Sequence, residues 1–274
     1  MPLPKPPLRV AVAGLGAVGT TVARALDRGL EGLELVAVSA RDRAAAAARL
    51  APVLCRPVPV LPAAALAEAA DLVVECAPSA IFREVVEPAV RAGRIVLPLS
   101  VGALLDHLDL VALARRSGAR ILVPTGALLG LDAVRAAAEG TIRSVRMVTR
   151  KPPAGLAGAP YLVERGIVLD GLAQPRLLFE GSAREGARGF PGNVNVAAAL
   201  ALAGIGPDRT RLQIWADPGV TRNTHTIEVE AEEASFRMTI ENVPSLENPR
   251  TGRLTPLSVL AALRRLTATL VVGT

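Results

Sequence analysis

Aromatic residues, cysteines and histidines are all scarce in this chain of 274 residues. Phe, Trp and Tyr make up 2% of it and apolar residues 51%, so any core must be built mainly from Ala, Val and Leu. Two distant cysteines, Cys55 and Cys76, and two unclustered histidines argue against a zinc or other metal site and against a disulfide framework. We expect both cysteines to be buried as small apolar residues.

The chain also lacks a long apolar run. No stretch approaches the roughly 18 residues of a membrane span without a charge or a proline. The opening residues, Met1 to Pro7, are too few and too rich in proline to form the apolar part of a signal peptide. We therefore expect a cytoplasmic protein that has no membrane partner.

Lysine is nearly absent, although the net charge is +6 and the pI is about 10.5. Lys5 and Lys151 are the only lysines among 31 basic residues, so the excess reflects a preference for arginine. The cations are spread singly along the chain, and few aromatic side chains are available to stack on bases. This pattern argues against a nucleic-acid partner. Small anionic ligands are enough to account for part of the positive charge.

Strand-like and helical patterns alternate from Arg9 through about residue 125, which predicts an α/β protein with an N-terminal Rossmann-type, doubly wound parallel sheet over residues 1–125. Strands with alternating faces then predict a second α/β domain built on an open sheet, residues 126–252. Residues 253–274 are expected to form a helix that packs back on the first domain. After the opening strand, strands are expected at residues 35–39, 71–75, 94–97, 120–123, 141–149, 176–179, 212–216, 226–231 and 235–240, and helices at 20–28, 81–92, 104–117, 195–203 and 256–270.

A glycine-rich turn, Gly14-x-Gly16-x-x-Gly19, follows the first strand and leads into a helix. Gly14 allows a tight turn, Gly16 lets the backbone approach a pyrophosphate, and Gly19 lets the helix pack close to the strand. Ala17 and Val18 then begin a helix whose free N–H groups face the phosphates. The turn therefore predicts a nicotinamide or flavin dinucleotide site.

The residues after the second strand bear on the choice between NAD and NADP. An acidic residue that binds the ribose is expected about 20 residues after the glycines, but position 39 is Ser. Ser39 and the guanidinium groups of Arg41 and Arg43 would suit a 2′-phosphate, which favours NADP and leaves use of both cofactors open. Two alternatives remain: Asp42 reaches a ribose, or the arginines are simply the solvated start of the next helix.

Ligands in parallel sheets bind at the carboxyl ends of the strands. Three segments that follow expected strands, residues 75–79, 99–104 and 124–127, are rich in small residues, as loops against a flat cofactor must be. Ala77 and Ser100 are the cofactor-binding residues that we expect in the first two.

His225 and Lys151 are the candidates for chemistry in the second half. His225 begins a strand after a run of polar residues, whereas His107 is flanked by acids near a helix and is expected on the surface. An imidazole that titrates near 6.5 is suited to acid–base work, although a lone histidine is often structural. Because the chain otherwise uses arginine, a lysine at position 151 suggests that a binding site there needs an ammonium group. The alternative is that Lys151 is simply a cation at the end of a strand.

The order of motifs along the chain resembles the L-aspartate dehydrogenases. The matching segments are residues 14–19, 74–77, 100–104, 124–128, 150–153, 179–185, 190–198, 216–218, 223–225 and 247–251. Pro78 and Ser79 depart from the pattern, which puts the packing on the cofactor side in doubt but not the class. The resemblance implies a homodimeric oxidoreductase that converts L-aspartate to iminosuccinate with NAD or NADP, the imine passing to oxaloacetate and ammonia or toward NAD biosynthesis. It also implies that His225 fills the active-site position and that Ala127 and Asn195 contact the nicotinamide cofactor.

Joining these lines, we hypothesise that His225 accepts the ammonium proton of a small dicarboxylate substrate and then activates a water. Lys151, Arg222 and Asn223 are the candidates for binding its two carboxylates, and Asn195 for orienting the carboxamide of the nicotinamide. Two alternatives stay open: a related amine or imine oxidoreductase acting on another small acid, and a noncatalytic dinucleotide-binding sensor. A semialdehyde dehydrogenase is disfavoured, because neither Cys55 nor Cys76 lies where its nucleophile belongs.

Overall fold

The computed structural model describes residues 6–245 and 252–273, and the chain divides into two compact units. The first unit comprises Met1–Ser100, Asp106–Pro124 and Pro256–Val271. The second comprises Val101–Leu105, Thr125–Thr255 and Val272–Thr274. The segment at 101–105, which the sequence analysis places in the first domain, thus groups with the second unit, and most of the last helix groups with the first.

The first unit is built on a six-stranded, entirely parallel sheet in the order β3-β2-β1-β4-β5-β6. Val10 to Ala13 of the first strand are buried on both faces, as a continuous apolar run requires. Its elements are β1 (Leu8–Ala13), α1 (Ala17–Asp27), β2 (Leu33–Ser39), α2 (Arg43–Leu50), β3 (Val60–Leu61), α3 (Leu66–Ala69), β4 (Leu72–Glu75), α4 (Phe82–Arg91) and β5 (Ile95–Pro98). After α5 (Val101–Leu104), which belongs to the second unit, come α6 (Asp109–Ser117) and β6 (Arg120–Ile121).

The order of this sheet changes direction between β1 and β4, with β2 and β3 on one side and β5 and β6 on the other. Open α/β sheets bind ligands at such a switch point, beyond the carboxyl ends of the strands. The core around β1 combines strand side chains such as Val12 and Val74 with Val22 of α1. Val259 and Leu263 of the last helix complete the same core.

The second unit is built on a five-stranded mixed sheet in the order β11-β10-β7-β9-β8. The pair β7–β9 is parallel, and the pairs β7–β10, β10–β11 and β8–β9 are antiparallel. Its elements are α7 (Leu131–Ala137), β7 (Ile142–Lys151), α8 (Pro160–Glu164), β8 (Arg176–Ser182), α9 (Ala183–Gly189), α10 (Asn195–Ala203), β9 (Arg211–Ala216), β10 (Asn223–Ala231) and β11 (Ser235–Asn242). The last helix, α11 (Leu254–Thr267), follows.

Two local expectations were wrong. The helix expected at 104–117 is interrupted, because α5 ends at Leu104 and α6 begins at Asp109. Asp109 begins α6 with a carboxylate in its first turn, where the helix dipole favours negative charge, and pairs with Arg83 at 2.9 Å. Cys55 is exposed rather than buried, since it lies in the turn-rich connection before β3, and Cys76 is only half-buried.

Within the described ranges, no helix is long and apolar enough to cross a membrane. The same residues contain no group of three or more His, Cys, Asp or Glu side chains that could hold a metal ion. The motif at 247–251, which contributes to the family resemblance, lies outside the described residues.

Candidate active site

The glycine turn of the first unit joins β1 to α1 and leaves one position open. Gly14 has φ +88°, and a Cβ there would lie 2.5 Å from the carbonyl oxygen of Cys76. A Cβ on Gly19 would lie 1.9 Å from the carbonyl oxygen of Gly14. A Cβ on Gly16 would meet no atom of residues 6–245 or 252–273 within 4 Å. The outer two glycines are thus required by packing within the turn, whereas Gly16 keeps backbone accessible to a ligand.

The start of α1 fits an anionic group. Its N-cap is Gly16, which offers no side-chain hydrogen bond, and no acidic residue lies in its first turn. The first N–H groups of a helix have no partner within it and carry the positive end of its dipole. Ala17 and Val18, which contribute such groups, are half-buried. This cradle fits the pyrophosphate of a dinucleotide.

The turn is fixed from behind by hydrogen bonds. The N–H of Gly14 donates to the carbonyl oxygen of Ser39 over 2.8 Å. The carbonyl oxygen of Leu15 accepts from the hydroxyl of Thr20 at 3.0 Å and from the guanidinium of Arg49 at 2.7 Å. The N–H groups at the start of α1 are therefore held in place before any ligand arrives.

Beyond β2 the structure separates the predicted adenosine-side residues. Ser39 is buried at the end of the strand, and Arg41 and Arg43 are exposed. Asp42 is the N-cap of α2, and its carboxylate accepts from the N–H of Ala45 at 2.9 Å. Its side chain thus caps α2, and Arg41 is an exposed cationic residue two positions after Ser39.

Ala77 and Ser100 follow β4 and β5, the two strands on one side of the switch point. Both are bound to Glu75, whose carboxylate accepts from the N–H of Ala77 at 2.9 Å and the N–H of Ser100 at 2.9 Å. The composition of the two loops was visible in the sequence, but the side chain that joins them was not.

One face of the sheet in the second unit changes from apolar to polar along its length. On β7 the buried side chains are Val145 and Met147, followed on the same face by Thr149 and Lys151. On β10, which runs antiparallel, Val229 and Ile227 lead to His225 and Asn223. His225 pairs with Thr149 across the two strands, so the four polar residues lie together at one end of a buried face. We call Thr149, Lys151, Asn223 and His225 the polar cluster.

His225 is 3% exposed, and its Nδ1 lies 3.1 Å from the hydroxyl oxygen of Thr149. Burial, with a smaller contribution from the charge of Lys151, lowers the pKa of His225 from 6.5 to about 3. The expectation of an imidazole that titrates near 6.5 was therefore wrong for the protein without substrate, because that value belongs to a solvated ring. His225 is neutral at physiological pH and can accept a proton or a hydrogen bond.

Lys151 is 4% exposed, and its Nζ donates to Oδ1 of Asn193 over 2.7 Å. Two residues further along, Oδ1 of Asn195 accepts from the N–H of Gly102 at 3.0 Å. The carbonyl oxygen of Ala127 accepts from Nδ2 of Asn242 at 2.8 Å. Asn195 and Ala127 are thus held by contacts within the second unit.

Arg222 does not join the polar cluster. Its side chain is 52% exposed, and its guanidinium lies 3.8 Å from Glu241. Glu241 points to the opposite face of β11 from the buried Asn242. Of the three predicted carboxylate partners, the structure brings Lys151 and Asn223 together with His225 and leaves Arg222 outside.

Two polar residues near the predicted ones were missed in the second unit: Thr149 and Asn242. Asn242 is 3% exposed and pairs with Asn223 across β10 and β11. Its buried Oδ1 has no hydrogen-bond partner among the residues that the structure describes. The period-two alternation through Thr149 and Lys151 was visible in the sequence. The cross-strand register that brings residue 149 to residue 225 was not.

Comparisons with known proteins agree with this organisation. Residues 14–124 match the family model described as the NAD-binding domain of homoserine dehydrogenase, and residues 132–266 match that of the C-terminal domain of aspartate dehydrogenase. An L-aspartate dehydrogenase of Bradyrhizobium diazoefficiens is 62% identical over 97% of this chain and 94% of its own. L-aspartate dehydrogenase 3 of Bordetella bronchiseptica is 59% identical over 97% of this chain and 98% of its own.

The fold also has a counterpart among solved structures. The crystal structure of an aspartate dehydrogenase from Thermotoga maritima superposes with a TM-score of 0.73 at 24% identity, covering 97% of this chain and 99% of that one. The predicted fold class, a Rossmann-type parallel sheet with a second α/β domain on another sheet, is confirmed.

A parallel sheet with an open glycine turn and an NAD-binding family match defines a nicotinamide-dinucleotide oxidoreductase with a separate second unit. More narrowly, the identities over nearly the full length and the match of the second unit place the chain in the L-aspartate dehydrogenase family. The family resemblance drawn from the sequence motifs is confirmed.

Proposed function

We propose that this protein catalyses the NAD(P)-dependent oxidative deamination of L-aspartate to iminosuccinate, and the reverse amination. Iminosuccinate and water then give oxaloacetate and ammonia. The observation that carries the proposal is the polar cluster, in which a buried neutral imidazole and a buried ammonium share one sheet face in a member of this family.

The first unit holds the dinucleotide. Its pyrophosphate binds at Gly14, Gly16, Ala17, Val18 and Gly19, where the open position and the free N–H groups of α1 support it. Ser39 and Arg41 serve the adenosine side, and Ala77 and Ser100 the loops beyond β4 and β5. The exposed guanidinium of Arg41 favours NADP, and use of NAD as well is compatible with the same residues.

His225 takes the proton that the substrate ammonium must lose before its Cα can give up a hydride. The bound nicotinamide supplies the hydride acceptor. The substrate carboxylates bring negative charge that opposes the effect of Lys151, the smaller of the two causes that lower the pKa of His225; burial is the larger. The neutral imidazole has a nitrogen lone pair that can accept the ammonium proton, and the same ring can then activate the water that attacks the imine.

Lys151 and Asn223 bind the substrate carboxylates. Lys151 already donates to an amide oxygen, Oδ1 of Asn193, so a carboxylate oxygen can take a similar position as a stronger acceptor. Arg222 ranks last because it is exposed and paired with Glu241. Asn195 and Ala127 contact the nicotinamide end of the cofactor, as the family resemblance implies.

We also propose that the protein is a homodimer, which the family resemblance implies. The sheet face opposite the polar cluster carries partly exposed apolar side chains, including Val148, Leu177 and Trp215, that a second copy could cover. Light scattering after size-exclusion chromatography measures the mass directly. A monomer at micromolar concentration would contradict the proposed homodimer.

The activity is tested by mixing the purified protein with L-aspartate and either NAD or NADP and following the absorbance of the reduced cofactor. We expect reduction that depends on aspartate, with ammonia formed in equal amount. Glutamate, alanine and homoserine serve as competing substrates in parallel reactions. Faster reduction with one of them identifies a related oxidoreductase, and no reduction with any of them contradicts the enzymatic assignment.

A further inference from the structure

Glu75 is a fully buried carboxylate that the proposed chemistry does not use. It is the last residue of β4 and is 0% exposed. Its Oε1 accepts from the N–H of Ala77 at 2.9 Å and from the hydroxyl of Ser100 at 3.0 Å. Its Oε2 accepts from the N–H of Ser100 at 2.9 Å and from the N–H of Leu99 at 3.2 Å. One side chain therefore ties together the loops that follow β4 and β5.

The first of these loops borders the glycine turn. Glu75 pairs with Ala13 of β1, the residue that precedes the turn, at the point where the strand order changes direction. A Cβ on Gly14 would lie 2.5 Å from the carbonyl oxygen of Cys76, so the loop after β4 packs directly against the turn. The region that Glu75 organises is the one where open α/β sheets bind their ligands.

Burying the carboxyl group of Glu75 costs free energy, which suggests that the group has a function. Burial raises the pKa of Glu75, and the hydrogen bonds from Ser100, Ala77 and Leu99 act in the opposite direction. An apolar side chain would avoid the cost of burying a carboxyl group but would remove this acceptor from the N–H groups of Ala77 and Ser100. The N–H of Leu99 also donates to the backbone carbonyl oxygen of Glu75 at 3.0 Å. A buried polar network in which every member is satisfied selects one loop conformation over its alternatives.

We propose that Glu75 is a positioning residue for the dinucleotide: by accepting hydrogen bonds from both loops, it fixes the backbone at Ala77 and Ser100 against which the cofactor binds. The carboxylate acts through these loops and does not itself touch the cofactor. The inference rests on the proposed function only in that the first unit binds a nicotinamide dinucleotide, and it does not depend on the identity of the substrate.

The test is cofactor binding by Glu75→Gln, with no aspartate present. The amide keeps the size of the side chain but turns an NH₂ group toward the N–H donors of one loop, so that loop loses its acceptor. We expect the Kd of both oxidised and reduced cofactor to rise by about tenfold, the effect of one hydrogen bond's free energy. Fluorescence of the reduced form and calorimetry with the oxidised form measure the two values.

Two further variants keep the test decisive. Ser100→Ala removes only the hydroxyl donor, so it should fold and raise both Kd values by a smaller factor, and it replaces the glutamine variant if that fails to fold. Glu185→Gln is the control, because Glu185 also accepts from a backbone N–H and a hydroxyl, those of Ser182, but lies in the second unit. Its Kd values should equal those of the wild type.

A folded Glu75→Gln protein with wild-type affinity for both forms overturns the proposal, as does weakened binding of one redox form alone, which would indicate direct contact with the ring. If the Glu75→Gln protein does not fold, unchanged cofactor affinity in Ser100→Ala overturns the proposal in the same way. Failure of the proposed function looks different: the wild type then binds the dinucleotide but does not reduce it with aspartate.

Discussion

The two units present ligands with two different kinds of surface. In the first, the strands are parallel and buried on both faces, and the proposed dinucleotide site is made of backbone: N–H groups at the start of α1 and an open Gly16. In the second, one buried face of a mixed sheet changes from apolar to polar side chains, from Met147 to Lys151 on β7 and from Ile227 to His225 on β10. Backbone recognition suits a cofactor shared by many enzymes, whereas side chains on a sheet can be exchanged to suit one substrate.

This difference predicts separable consequences of mutation. Changes in the glycine turn should affect cofactor binding or the fold of the first unit. Changes in the polar cluster should affect the chemistry and the substrate while leaving cofactor affinity intact.

His225→Asn should lower kcat by about 10²-fold or more, because the variant lacks the group that takes the substrate proton. The Kd for the reduced cofactor should not change, since His225 is not among the residues proposed to contact the cofactor. Steady-state kinetics with aspartate and fluorescence titration with reduced cofactor measure the two quantities. His107→Asn, which changes the other histidine, stacked on Phe82 in the first unit, is the matched control. A near wild-type rate in His225→Asn would remove the proposed role.

Within the glycine turn, Gly16→Ala and Gly19→Ala should fail in different ways. A methyl at position 19 would lie 1.9 Å from a backbone oxygen, so the turn must distort and the Tm should fall. A methyl at position 16 meets no atom of the described residues within 4 Å, so the Tm should stay at the wild-type value while the cofactor Kd rises by about tenfold. Thermal unfolding and cofactor titration of both variants measure the two effects. Equal loss of Tm in both would show that Gly16 is also needed for packing.

Lys151→Met should raise the KM for aspartate by about tenfold or more, since a carboxylate loses a buried, charge-assisted partner. The cofactor Kd should remain unchanged. Arg222→Met is the comparison, because that side chain is 52% exposed and lies outside the cluster, and we expect a much smaller change in KM. The reverse ranking would move the carboxylate site away from the buried face.

The burial of His225 should also be visible in the pH dependence of stability. Above pH 6.5 the ring is neutral in both folded and unfolded chains and contributes no slope. Between pH 6.5 and about 3 the unfolded chain binds a proton that the folded one does not, so stability falls as the pH is lowered.

His225→Gln lacks this titration. The wild-type unfolding constant should therefore rise relative to that of the variant by up to about tenfold for each pH unit between 6 and 4. Denaturant titrations of both proteins at several pH values measure this difference. A difference in stability between the two proteins that is the same at every pH does not affect the test. Parallel pH profiles would mean that the ring protonates freely in the folded protein.

The sequence predicted most where the signal is local. The glycine turn needs six consecutive residues, and helix α10 has the predicted limits, 195 and 203, because its alanine-rich pattern is continuous. The break between α5 and α6 was missed because periodicity alone cannot tell that residues 101–105 group with the other unit. Thr149 and His225 are 76 residues apart in sequence, so neither their contact nor the lowered pKa of the imidazole could be foreseen without the strand register. Likewise Glu75 looked like a strand end until its bonds to the residue-100 loop were known.

The smallest predicted effect concerns the choice of cofactor. Arg41→Ala should lower kcat/KM for NADP by several-fold to tenfold, because a 2′-phosphate loses an exposed cationic partner whose contribution is reduced by solvent. The value for NAD should change little, since its ribose carries no phosphate there. Arg43→Ala, at the first position of α2, is the matched control and should shift the ratio less, because Arg43 lies two residues further from Ser39 along the chain than Arg41 does. If the ratio of NADP to NAD efficiency is the same in Arg41→Ala and the wild type, the backbone around Ser39, rather than the guanidinium, sets the preference between cofactors.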